Sequence, residues 1–248
     1  MEYTYIGNRG ILFTFNELNK EPYYCITNVY VIVGKKNYFV CDTYLGKYYI
    51  NKIKEFLESK YGKKNYIVFN SHSHWDHIWG NSEFKDNLIV SHEKCREFIK
   101  LYGEQEIKKN PDFIRDEVEL ILPNITFQKE ISFEEEGLIF FYSPGHSEDS
   151  SSCYDIIDNT LFVGDNVDDP IPSSMCFNNL SIYLDTLKKY LELDVDRVIQ
   201  SHGPEIDNNV IRENALYIRN LIDGKKIIFN ESEVERKHQE NIDFLLSI

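Results

Sequence analysis

The sequence predicts an α/β protein, and three observations carry that expectation. Short apolar runs that read as buried strands alternate with longer amphipathic segments that read as helices. At 42% hydrophobic and 14% aromatic residues, the chain has the material for a packed core. Four of the apolar runs also end alike: YIVFNSHSHWDH delivers His72, His74, Asp76 and His77, LIFFYSPGH delivers His146, TLFVGD delivers Asp165, and RVIQSHG delivers His202. In layered α/β proteins functional groups gather where loops leave the ends of strands, so one pattern predicts both the fold and its site.

Taken in order, strands are expected at 11–15 (ILFTF) and 25–33 (CITNVYVIV), the second turning through GKKN into YFVCDT as a hairpin. LGKYYINKIKEFLESKYG then places Leu45, Tyr49, Ile53, Phe56 and Leu57 near helical spacing, with Gly62 as the stop. YIVF at 66–69 is short enough to be a buried strand. Further helices are expected at 92–102, 179–192, 207–222 and 231–246. Segment 103–123, broken by Pro111, has no regular reading and is expected over the site as a lid or rim. No repeat, low-complexity tract or linker divides the chain, so residues 1–248 are read as one domain.

The bulk charge narrows the partners. A net charge of −14 opposes polyanions, and the short basic runs GKK at 62–64 and 224–226 read as solvated turns. No apolar run has the length of a membrane span, and MEYTYIGNRG lacks the basic-then-apolar order of a secretory signal. Five scattered cysteines with no C-x-x-C pair (Cys25, Cys41, Cys95, Cys153, Cys176) read as reduced, buried thiols. The expectation is a cytoplasmic protein with a small-molecule substrate, no nucleic-acid partner and no membrane.

The seven strand-end residues use five of the chain's seven histidines. In an extended loop, residues two apart point the same way, so His72 and His74 can grip one ion. Asp76 and His77 lie past the bend and can face a second. His146 would complete the first set, His202 the second, and Asp165 has two oxygens with which to bridge. Neutral imidazole and carboxylate suit zinc first, and also iron or manganese. The remaining His92 and His238 read as surface residues, at a helix start and on a polar helix face.

With these motifs on the page, the chain resembles the metallo-β-lactamase superfamily, from the VYVIV…YFVCDT hairpin to SHGP. The resemblance implies a four-layer αβ/βα sandwich with a metal site along one edge. It is similar to the glyoxalase II-like members, because Asp165 occupies the bridging position, whereas class B β-lactamases generally carry a cysteine ligand in that region. Asp42 in CDT matches an aspartate that supports the site from behind. The chain departs from the family pattern at SEDS after His146, at Tyr44, and at Asn166, Asp168 and Asp169, all expected on the substrate side.

The implied function is a dinuclear metallohydrolase of a small ester, thioester, lactone or amide, acting through a metal-bridging hydroxide, with Asp76 orienting it and relaying its proton. The alternative is an iron-dependent oxidoreductase of the same fold, either persulfide dioxygenase-like or flavodiiron-like. His74 stands where flavodiiron relatives usually carry Glu.

Overall fold

The computed structural model describes residues 1–247, which form two β-sheets packed face to face with helices on both outer faces. The first sheet runs β1 (Glu2–Ile6), β2 (Gly10–Phe15), β3 (Thr27–Val33), β4 (Asn37–Cys41), β5 (Asn65–Asn70), β6 (Leu88–His92) and β7 (Ile125–Phe127), in spatial as well as chain order. Its first four strands are antiparallel and the rest are parallel. The second sheet contains β8 (Glu130–Phe133), β9 (Leu138–Tyr142), β10 (Ser151–Asp155), β11 (Thr160–Gly164), β12 (Arg197–Gln200) and β13 (Glu205–Ile206). Here β8 to β11 are antiparallel, β12 joins parallel to β11, and β13 closes the edge antiparallel.

Parallel neighbours need crossovers, and the sequence supplies amphipathic helices for them. Between β4 and β5, α1 (Lys47–Tyr61) buries Tyr49, Ile50, Ile53 and Leu57 and stops at Gly62, whose φ of 77° only glycine adopts readily. A four-residue helix α2 (Trp75–Ile78) follows β5, and α3 (Glu93–Lys109) lies between β6 and β7. Helix α4 (Leu180–Glu192) connects β11 to β12, and α5 (Asn208–Ile222) and α6 (Ser232–Leu246) complete the second outer layer.

Three hydrophobic cores result. One lies under α1 and α3, one under α4, α5 and α6, and one between the sheets, where Phe69 stacks on Phe140 at 4.4 Å. This is the four-layer αβ/βα sandwich.

Several elements differ from the sequence reading. Strand β1 is exposed on all but Ile6, so it offered no buried face to recognise. Helix α3 continues through Gly103 to Lys109. Gly103 is not a stop; a Cβ there would meet Leu120 Cδ1 at 2.8 Å, so the glycine admits the returning chain. Segment 103–123 is therefore no free lid. Its first part is helix, and Val118, Leu120, Ile121 and Leu122 pack on the core. Phe113 packs 5.4 Å from the rings of Tyr23 and Trp75 beside the site. Tyr44 is not on the substrate side: it is fully buried, stacked on Phe15 at 4.6 Å, with its hydroxyl donating to Glu17.

Both spare histidines are buried rather than superficial. His92 caps α3 by accepting from Lys94 N and stacks on Tyr142, while His238 accepts from the Tyr217 hydroxyl between α5 and α6. Among the described residues, no helix is long and apolar enough to cross a membrane.

Candidate metal centre

The seven strand-end residues meet at one edge of the sandwich, and each arrives by a short, pinned route. Beyond β5 the chain bends at Ser71 and His72 and passes through Ser73 to His74, which caps α2; Asp76 and His77 lie in that helix's single turn. Two aspartates hold this loop. Asp42, just past β4, accepts from Ser71 N, Ser71 Oγ and His77 Nδ1, each at 2.8 Å. Asp149 accepts from Ser73 N at 2.8 Å, between the two histidines of the H-x-H pair.

From the second sheet, His146 follows β9 and Asp165 follows β11. Asn166 fixes the first of these: its Oδ1 accepts from His146 N at 2.8 Å, while its Nδ2 donates to Ser143 O and the Tyr190 hydroxyl. Gly145 is required by this packing, because a Cβ would stand 2.5 Å from the Tyr183 ring and 2.7 Å from Asn166 Oδ1. His202 comes off β12, with Nδ1 3.0 Å from Ile26 O.

These contacts set the tautomers. Asp42 and the Ile26 carbonyl can only accept, so His77 and His202 carry their protons on Nδ1. Ser71 Oγ donates to Asp42 and so accepts from His72 Nδ1 at 2.9 Å. Three imidazoles thus turn Nε2 inward, the nitrogen that a ligand histidine offers.

The lone pairs converge on Asp165. Its Oδ2 lies 3.7 Å from His72 Nε2, 3.5 Å from His77 Nε2, 3.7 Å from His146 Nε2 and 3.3 Å from His202 Nε2. Asp76 Oδ2 is 3.4 Å from His77 Nε2 and 3.3 Å from His202 Nε2. Two donors bound at 2.0–2.1 Å to a tetrahedral ion sit about 3.4 Å apart, so this is ligand spacing. His72 Nε2 and His77 Nε2 are buried with no protein partner, a costly state that a bound cation relieves. Two groups form: His72, His74, His146 and Asp165, and Asp76, His77 and His202.

The electrostatics divide the histidines into two pairs. Burial holds His72 well below its ordinary pKa and brings His146 down to about 4, keeping both unprotonated. Burial acts the same way on His77 and His202, but the surrounding carboxylates outweigh it and raise both. Asp76 and Asp165 stay well below the carboxylate range, burial being overcome by those two imidazoles. The cage attracts positive charge.

A cavity of about 480 Å³ opens onto the centre. Tyr23 and Trp75 form one wall, their rings 5.6 Å apart. Asp168 and Asp169 both line it, as expected, but Asp168 is buried and neutralised by Lys237 of α6 at 3.1 Å. Asn166 is not on this surface; it is interior scaffolding. Cys176 departs from the buried-thiol reading: it is exposed, with Sγ 3.6 Å from His74 Nε2. The sequence reading missed Asp149, Lys237 and Cys176 as site-shaping residues and placed Asn166 on the substrate side rather than in the interior. Asp149 and Asn166 were signalled only by the departures from the family pattern at SEDS and GDN, and nothing local marked Lys237 or Cys176.

Sequence and structural comparisons point the same way. Residues 22–202 match the metallo-beta-lactamase superfamily. A "Beta-lactamase-like protein 2 homolog" from Caenorhabditis elegans is 25% identical over 192 residues, covering 77% of this chain. The chain spans 59% of that relative's length. Among solved structures, the metallo-beta-lactamase FIM-1 from Pseudomonas aeruginosa, in its mono-zinc form, superposes with a TM-score of 0.74 at 14% identity, covering 89% of this chain and 95% of that one. A metallo-beta-lactamase from Pontibacter korlensis gives 0.70 at 19% identity, covering 88% and 99%. At such identities these two speak for the fold alone. The match across residues 22–202 carries the assignment: the chain belongs to the metallo-β-lactamase superfamily.

Proposed function

We propose that this chain is a dinuclear metal-dependent hydrolase of a small ester, thioester, lactone or amide. The observation that carries the reading is the sharing of Asp165 between two sets of inward-facing imidazole nitrogens. His72, His74, His146 and Asp165 would hold one ion; Asp76, His77 and His202, with Asp165 bridging, would hold the other. Zinc suits these donors best, and iron or manganese also fit. When bound, such ions lower the pKa of water towards neutrality and polarise a carbonyl oxygen.

The chain's own residues supply the rest. Asp76 is held ionised by His77 and His202, and its Oδ2 faces their nitrogens, which leaves Oδ1 to take a proton from water and return it to the leaving group. Asp42 keeps the His77 lone pair aimed inward, and the Tyr23–Trp75 wall shields one side of the cavity from bulk water. The acidic balance of 41 against 27 basic residues disfavours long polyanions at the cavity mouth. The five free thiols favour a reducing compartment, the cytoplasm.

The test is a substrate panel on zinc- and manganese-loaded protein of measured metal content. Small activated esters, thioesters and lactones should be hydrolysed, and RNA or DNA at moderate salt should be left intact. Cleavage of a nucleic acid with the small substrates untouched would overturn the reading. Oxygen uptake by the iron-loaded protein, without hydrolysis, would establish the oxidoreductase alternative instead.

A further inference from the structure

Three of the five histidines at the centre are fixed through Nδ1: His72 by Ser71, His77 by Asp42 and His202 by the Ile26 carbonyl. The other two, His74 and His146, are held differently. His146 Nδ1 is buried with no partner among the described residues, so the backbone of His146 has to place its ring. His74 is turned the other way round. Its Nδ1 lies 3.2 Å from His146 Nε2, ligand spacing for one shared ion, which leaves Nε2 as the protonated nitrogen. That N–H faces Cys176.

Cys176 touches both residues. Its Sγ lies 3.6 Å from His74 Nε2 and 3.2 Å from His146 O, and its backbone N–H donates to the same carbonyl at 2.9 Å. A thiol can donate one hydrogen bond while its sulfur accepts another. A carbonyl only accepts, so the thiol hydrogen goes to His146 O and a sulfur lone pair meets the His74 N–H. The cysteine is itself anchored. The adjoining Met175 is buried in the core under α4, α5 and α6, and its N–H donates to Asn241 of α6.

We propose that Cys176 is a positioning residue for the first ion: its sulfur accepts a hydrogen bond from His74 Nε2–H while its thiol and amide grip the His146 carbonyl, so one residue aims two ligand imidazoles. The inference rests on the metal-centre reading and gives this thiol a role without making it a ligand, since Sγ faces the nitrogen of His74 that points away from His146.

The test reads zinc affinity by competition with a chromogenic chelator, so it needs no substrate. Cys176→Ala should weaken one of the two binding steps about tenfold and leave the other within about twofold. Cys176→Ser, whose hydroxyl also accepts and donates, should recover the loss to within about threefold of the parent. Asp76→Ala removes a ligand of the second group alone, and in that background Cys176→Ala should still cost the remaining step about tenfold. Cys176 is exposed, so both metal-free variants should melt within about 2 °C of the parent.

Unchanged affinity in Cys176→Ala, a serine variant as weak as the alanine one, or a loss that vanishes in the Asp76→Ala background would each overturn the assignment. A metal-free melting temperature that falls in step with affinity would overturn it too, by showing a merely structural role. Two ions bound with equal strength in parent and variants would keep the dinuclear reading and sink this one. A single ion whose affinity falls in Cys176→Ala and recovers in Cys176→Ser would do the reverse.

Discussion

At the scale of single residues, the site depends on groups that never touch a substrate. Asp42 is the clearest: without its carboxylate the Nδ1 proton of His77 has no acceptor, and the ring can turn or change tautomer. Asp42→Ala should weaken metal binding at the Asp76–His77–His202 group about 10–100-fold, and Asp42→Asn by less, as read by competition with a chromogenic chelator. Equal affinities in the variants and the parent would refute this. Asn166 is buried and makes three hydrogen bonds around His146. Asn166→Ala should cost about 3 kcal/mol in denaturant unfolding, since it strands the His146 N–H and Ser143 carbonyl. Asp42 was legible in the sequence through the family motif, as were all seven candidate ligands, because each ends an apolar strand. Asn166 and Asp149 were not legible. They act on backbone N–H groups 20 and 76 residues away in sequence, and no local pattern encodes such a contact.

At the scale of elements, the helices and the buried strands were readable because each has one continuous apolar face. What failed had weak faces or ambiguous ends: β1 is exposed, β7 and β13 have three and two residues, and α3 runs on past 102, where its end was expected. Contacts between elements add a pH dependence the sequence did not suggest. Glu136, in the turn before β9, reaches the β3–β4 hairpin and accepts from Lys35 N, Lys36 N and Asn37 Nδ2. Burial raises its pKa, but these donors outweigh it and leave the carboxyl below its ordinary value. The ionised form is the one that stabilises the fold. Its contribution is complete above the unfolded value near 4.3 and fades as pH falls through the folded value. Glu136→Gln should therefore lower stability by about 1 kcal/mol at pH 6, a deficit that shrinks towards pH 3. A deficit constant across that range in thermal unfolding would contradict this role.

At the scale of the whole molecule, the candidate centre joins the two halves of the sandwich. His72, His74, Asp76 and His77 follow the first sheet, and His146, Asp165 and His202 follow the second. That the strands would split into two sheets with a shared core was legible only through the family resemblance; the apolar pattern alone shows what is buried but not against which partner. Bound ions would cross-link those halves, so chelation should lower the melting temperature by several degrees and raise hydrogen exchange first at the site ends of β5, β11 and β12. Unchanged exchange there would mean that the halves hold together without metal. The central claim is that two ions share Asp165, and elemental analysis of purified protein reconstituted with zinc, iron or manganese tests it. Close to two ions per chain are expected, with Asp165→Ala losing occupancy at both positions. Fewer than one ion per chain in the parent, or full occupancy in the variant, would contradict the dinuclear centre.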